Sequence, residues 1–176
     1  LLQLREKYRI RIGRIALSYG PGTKPSDSRV LNQLIQRGYF ENKIVLADSG
    51  EAVRTYCYVR DTVEMLLNIT FWGESEIYNV GGGVGYTPKD IAELLSIELK
   101  KPFIFKKNCE FRTGDIKHAI SNISKLEEIG WKPLRSEKEN IKEYLNWFKD
   151  QKIDLNAYLK QKKISRTIGI INKVME

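Results

Sequence analysis

The residue pattern of this chain predicts an α/β fold, and three observations carry the prediction. Short apolar runs of strand length alternate with stretches of helical periodicity along the 176 residues. Several helical stretches open on capping signals, clearest in TPKDIAELL from Thr87. Apolar residues make up 41% and aromatic residues 10%, an ordinary globular composition.

The elements follow in order. LLQLREKY reads as the late turns of a helix with no N-cap before it, and the first residue is Leu1. On this reading the chain begins within a larger protein. IRIGRIALS (10–18) alternates and then turns apolar, as a buried strand does, and YGPGTKPSDS (19–28) is a loop rich in Gly, Pro and Ser. RVLNQLIQRGYF carries apolar residues at 30, 31, 34 and 35, a helical stripe ending near Gly38. KIVLA (43–47) and RTYCYV (54–59) are strands, with DSGE as a turn between them. DTVEMLLNITFW is a helix with Asp61 as N-cap and Glu64 three residues on. EIYNV (76–80) is a strand. The helix after it starts with Thr87 as cap, Pro88 in the first helical position and Asp90 in the first turn. PFIFKK (102–107) is a strand, SNISKLEEIGW a short helix closed by Gly130, and SEKENIKEYLNWFKDQ a helix capped by Ser136. The last residues, from about 150 to 176, read as a helical, loosely attached tail.

Several function classes are weakened by composition. No apolar run approaches the ~20 residues that cross a bilayer, and the charged opening stretch is no signal peptide. No membrane partner is expected, and the expected location is cytoplasmic. Cys57 and Cys109 stand far apart, and His118 is the single histidine, so no metal-ligand spacing is present. A net charge of +8 admits an anionic partner, nucleic acid included. No recognition-helix or RNA-binding aromatic signature accompanies it, so nucleic acid is not expected. A basic module for nucleic acid or another polyanion remains the alternative reading. Its affinity would fall steeply with salt.

The most conspicuous motif is VGGGVGYTPKD, with Gly81, Gly82, Gly83 and Gly85 between a strand and a helix. That order suits a phosphate loop. The spacing does not: G-x-G-x-x-G started at Gly81 reaches Tyr86, and started at Gly82 reaches Val84 and Thr87. Pro88 also removes one N–H that a phosphate would use.

Taken together, RIALSYGPGTKPSDSRVLNQLI (14–35), IVLADSGEAVRTYCYVRDTVEMLL (44–67), IYNVGGGVGYTPKDIAELL (77–95) and FRTGDIKHAISNISKLEEIGWKP (111–133) resemble the C-terminal half of the extended short-chain dehydrogenases. These are the NAD-dependent nucleotide-sugar epimerases, dehydratases and decarboxylases. The resemblance covers about residues 5–149 and leaves the tail outside. Its wording leans towards the decarboxylase-like and 4,6-dehydratase-like branches. It refines the fold class to a partial Rossmann-type sheet remnant plus a small mixed α/β substrate-binding lobe. Residues 1–20 would be the last helix and strand of the NAD-binding core, 21–149 the substrate-binding part with elements returning to the core, and 150–176 the helical tail.

The resemblance implies an enzyme that oxidises a sugar hydroxyl with NAD, lets the ketone permit epimerisation, elimination or decarboxylation, and returns the hydride. It places the NAD loop and the catalytic Tyr-x-x-x-Lys pair before Leu1, so no catalytic residue is expected in this chain. The partner is a nucleoside-diphosphate sugar. Arg54 and Arg112 match family arginines that clamp the diphosphate, a task suited to planar, two-pronged guanidinium groups. Arg29, Asn79 and His118 are further candidates for contact with the nucleotide. Tyr19, Gly20 and Pro21, with Gly22, form a mainly structural turn that approaches the nicotinamide end. Where many members carry an asparagine that meets the phosphates, this chain has Leu17. Two Y-x-x-x-K matches, Tyr39 to Lys43 and Tyr158 to Lys162, are read as chance. The resemblance allows a homodimer, although the helices that form it in the family lie mostly outside this chain.

Overall fold

A computed structural model describes residues 7–24, 27, 29–46, 50–74, 77–105, 110–111, 116–151, 156, 159–160 and 172–173. Cys109, Arg112, the Tyr158–Lys162 match and most of the opening helix and of the tail lie outside the described residues.

The strand expected over 10–18 forms as two pieces, β1 (Ile12–Ile15) and β2 (Leu17–Tyr19). The break at Ala16 changes partners. β1 pairs in parallel with β5 (Ile77–Val80), Arg14 opposite Asn79, and β2 pairs in parallel with β4 (Val53–Tyr58). Ala16 N–H still donates to Val80 O at 2.8 Å, which fixes the bend. β4 is the central strand. On its other side it takes β6 (Gly85–Tyr86), antiparallel, and on the edge opposite β6, beside Val53 and Arg54, it takes β9 (His118–Ala119), parallel. β3 (Ile44–Leu46) and β7 (Phe103–Phe105) form a separate parallel pair. Within the expected helical tail, residues 156, 159 and 160 are helical, but β10 (Asn172–Lys173) pairs antiparallel with β8 (Glu110–Phe111).

Side chains alternate across β4, so the strand divides two cores. Tyr56 and Tyr58 point into the larger, formed with α1 (Val30–Phe40), α3 (Pro88–Leu99) and α5 (Glu137–Lys149). Cys57 points into the smaller, with Met65 and Ile69 of α2 (Val59–Trp72), Tyr78 and Val80 of β5, and Leu126 of α4 (Ser124–Glu128). The stripe read on α1 is the buried one, with Leu31, Leu34 and Ile35 inside. Gly38 does not end that helix. A Cβ there would lie 2.8 Å from Leu99, so glycine lets α1 and α3 approach.

The capping signals of α3 and α5 act as read. Thr87 and Asp90, and Ser136 and Glu139, bond reciprocally in two capping boxes. The signal of α2 does not. That helix starts at Val59, directly from β4 with extended Tyr58 as its N-cap, so Asp61 falls inside the first turn. There it is buried and accepts a bond from Asn140 Nδ2 at 3.4 Å. The outer face of α2 carries Val63, Leu67, Phe71 and Trp72, all exposed.

Candidate functional site

The glycine run is filled by the protein itself. A Cβ on Gly81 would meet Ser121 Oγ at 2.6 Å, and one on Gly82 would meet the Tyr56 carbonyl oxygen at 2.6 Å. One on Gly83 would meet Ile123 at 2.5 Å, and one on Gly85 would meet Val53 at 2.5 Å. These glycines let β5 and its turn close against β4 and the segment after β9; they leave no cradle for a phosphate. This run therefore lacks the open backbone of a pyrophosphate loop. Tyr39 lies in the last turn of α1 and Lys43 in the loop before β3. The Tyr39 hydroxyl is buried without a partner, and Lys101, not Lys43, lies over its ring at 5.5 Å.

Arg54 sits half-buried on β4, opposite Tyr86 of β6 and Ala119 of β9. Its Nη1 donates to the Val53 carbonyl at 2.9 Å. β6 and β9 pair with its backbone from both edges at one end of β4. His118 is exposed and stands opposite Val53, one position earlier in the register. By alternation it falls on the other face from Arg54. β9 thus brings the two together in sequence register but not onto one surface.

Asn79 belongs to a different place. Its Nδ2 donates to Asn122 O at 3.0 Å, and it lines a cavity of about 340 Å³ with Arg14, Asn122, Ser124 and Lys125. Lys125 Nζ reaches Ile77 O at 3.3 Å. Arg14 and Lys125 give this cavity a positive rim. Sequence reading missed both; the signal was the parallel neighbour strand and the KLEE helix, which carry no motif of their own.

Arg29 has a structural task. Its guanidinium grips both oxygens of Asp27, with Nε at 3.0 and 2.8 Å, and also donates to Ser18 O. Asp27 is held below the usual carboxylate range by this bond. Arg29 so ties the loop to the end of β2 and to the start of α1. Tyr19 is buried at that end, its ring 5.5 Å from Tyr58 and 5.8 Å from Tyr144. Gly20 follows at φ +133°, where a Cβ would also strike Val59 at 2.7 Å. Pro21 and Gly22 continue the turn, with Thr23 N–H closing it on Gly20 O at 3.1 Å. Leu17 packs against the larger core, so its position is apolar wall. Arg112 lies outside the described residues. Among the described residues no cluster of three His, Cys, Asp or Glu is placed to hold a metal, and no helix is long and apolar enough to cross a membrane.

The arrangement was compared with known proteins. The family model described as NAD dependent epimerase/dehydratase family matches residues 1–81. A UDP-glucuronic acid decarboxylase of Arabidopsis thaliana is 31% identical over 133 residues, covering 75% of this chain and 38% of that protein. The chain is similar to the NAD-dependent epimerase/dehydratase family. It also resembles a human dTDP-D-glucose 4,6-dehydratase, 27% identical over 153 residues, 82% of this chain and 43% of that one. Among solved structures it superposes on a UDP-glucose 4-epimerase of Thermotoga maritima, solved with UDP-glucose, at a TM-score of 0.69. That match has 29% identity and covers 79% of this chain and 45% of the other. It shares the fold of a UDP-N-acetylglucosamine 4-epimerase of Methanobrevibacter ruminantium, with a TM-score of 0.71 and 23% identity over 85% of this chain and 50% of that one. The chain thus spans less than half the length of the curated relatives it matches.

Proposed function

We propose that this chain is the C-terminal, substrate-gripping part of a nucleotide-sugar epimerase, dehydratase or decarboxylase. The observation that carries the reading is Arg54: a guanidinium at the family's motif position, fixed half-buried on a strand with neighbours on both edges. A rigid backbone keeps such a group aimed at a diphosphate at small entropic cost. Arg112 is its second prong. Asn79, with Arg14 and Lys125 beside it, offers a neighbouring polar surface to the nucleoside end. The Thermotoga maritima relative, solved with UDP-glucose, supports a nucleoside-diphosphate sugar as the ligand class.

On this reading NAD and the catalytic Tyr and Lys reside in a part of the protein outside this chain. The filled glycine run agrees with that assignment, and the exposed stripe Val63, Leu67, Phe71 and Trp72 offers apolar surface for such a part to cover. The chain alone binds nucleoside diphosphate weakly and turns nothing over. Titration calorimetry with UDP, dTDP, GDP and NAD tests this. Heat with one diphosphate, none with NAD, and about tenfold or greater weakening by Arg54→Ala or Arg112→Ala is the expected pattern. Turnover by the chain, or unchanged affinity in both variants, would sink the reading.

A further inference from the structure

The first turn of α5 carries two acidic side chains with opposite fates. Glu139 faces water and closes the capping box, accepting from Ser136 N and Oγ, both at 2.8 Å. Glu137 turns inward, to the place where β2 ends, β4 passes into α2 and β6 begins. Four polar atoms there are buried without a hydrogen-bond partner: Tyr19 Oη, Tyr58 Oη, Glu137 Oε1 and Asn140 Oδ1. Buried polar atoms are rarely left so, and each costs stability until a proton or a water is supplied.

We propose that Glu137 is a proton-operated latch: uncharged, it fastens the first turn of α5 to the end of β2, and its ionisation loosens that turn.

The groups around it favour this behaviour. From β2 it faces Tyr19, and from α2 it faces Asp61, itself buried and bonded to Asn140. Its charge also reaches Cys57 of β4 and Tyr86 of β6, Tyr86 being acted on by Asp90 of α3 as well, and Tyr58 of β4 lies beside Tyr19, ring centroids 5.5 Å apart. On α5 itself lie Asn140 and Glu143. Arg60 and Arg135, the cations that act on Tyr58, are both paired with Glu143, at 2.7 Å in the first case. An ionised Glu137 would therefore stand beside Asp61 with no cation assigned to it. Protonated, it gains an O–H donor, which one of the facing oxygens can accept. Burial pushes the Glu137 carboxyl from 4.5 up to about 7, opposed by the facing Tyr19 hydroxyl and helped by the Asp61 charge.

The folded carboxyl thus holds its proton more tightly than the unfolded one. Its stabilising contribution is complete below the unfolded value of 4.5 and is lost as pH rises towards about 7. Asp61, raised by burial and then by Glu64, acts in the same direction. The two must be separated by experiment.

The test is amide hydrogen exchange on the 176-residue chain at pH 5 and pH 8, corrected for intrinsic exchange. Protection at residues 138–142 should fall by about tenfold or more, one decade per proton released and pH unit crossed, while the first turn of α3 keeps its protection. Glu137→Gln should abolish the step and Asp61→Asn should leave it. A step that survives Glu137→Gln but vanishes with Asp61→Asn overturns the proposal. If Glu137→Gln does not fold, the carbon-13 shift of the Glu137 carboxyl in the unsubstituted chain decides. A midpoint between 6 and 8 supports the latch, and an ordinary carboxylate midpoint refutes it.

Discussion

On one face of β4, Tyr56 and Tyr58 enter a core enclosed by α1, α3 and α5; on the other, Cys57 enters a core roofed by α2, whose outer side is apolar and exposed. The same strand, within three residues, serves one region that is covered on all sides and one that presents an uncovered apolar flank. The difference separates what holds the chain together from what it leaves exposed. The larger core needs nothing more. The smaller one is sealed inside by Met65, Ile69 and Leu126, yet α2 leaves Val63, Leu67, Phe71 and Trp72 exposed.

The comparison can be broken first at its strongest point. Phe148 is buried against Tyr39, ring centroids 5.2 Å apart, and against Tyr144. Phe148→Ala should cost about 3–5 kcal/mol, read by urea unfolding. Ile69→Ala in the smaller core should cost about 2–5 kcal/mol, and the double variant should cost the sum within about 0.5 kcal/mol. A large departure from the sum would mean that β4 couples the cores rather than dividing them. Ser136→Ala removes a cap of the larger core and should cost about 1 kcal/mol. Lys100 ends α3 in the left-handed region, φ +53°; Lys100→Gly should raise stability by about 0.5–1 kcal/mol, visible as a higher Tm. The smallest effect is expected on the open flank. Leu67→Lys with Phe71→Lys should shift unfolding by no more than about 0.5 kcal/mol while reducing self-association in light scattering at high concentration.

The same two regions differ in how far the residues announced them. The helices α1, α3 and α5 were legible because their apolar periodicity, and in α3 and α5 their caps, pointed to the same boundaries. Asp61 misled because an Asp before an apolar run looks the same whether it caps a helix or lies within its first turn. The sequence does not say that β4 runs into α2 with no loop. The break at Ala16 was hidden for a related reason: an apolar strand that changes partners keeps its periodicity. At the candidate site, the strand that carries Arg54 was legible from its β-forming residues, whereas the engagement of Arg29 by Asp27 depends on a loop closing back on itself. Glu137 escaped notice because two acids in a first turn normally both face water; only the packing of β2 and α2 sends one inward.

The alternation along β4 has a consequence for how the chain tolerates change in length. Because Tyr56, Cys57 and Tyr58 are assigned to opposite sides by parity alone, one residue inserted ahead of them would send both phenols into the small compartment and the thiol into the large one. Two inserted residues would restore the sides and only displace the ends. Odd and even edits at this strand should therefore differ between a collapsed chain and a folded one, and lineages of this chain should vary in length almost anywhere sooner than here.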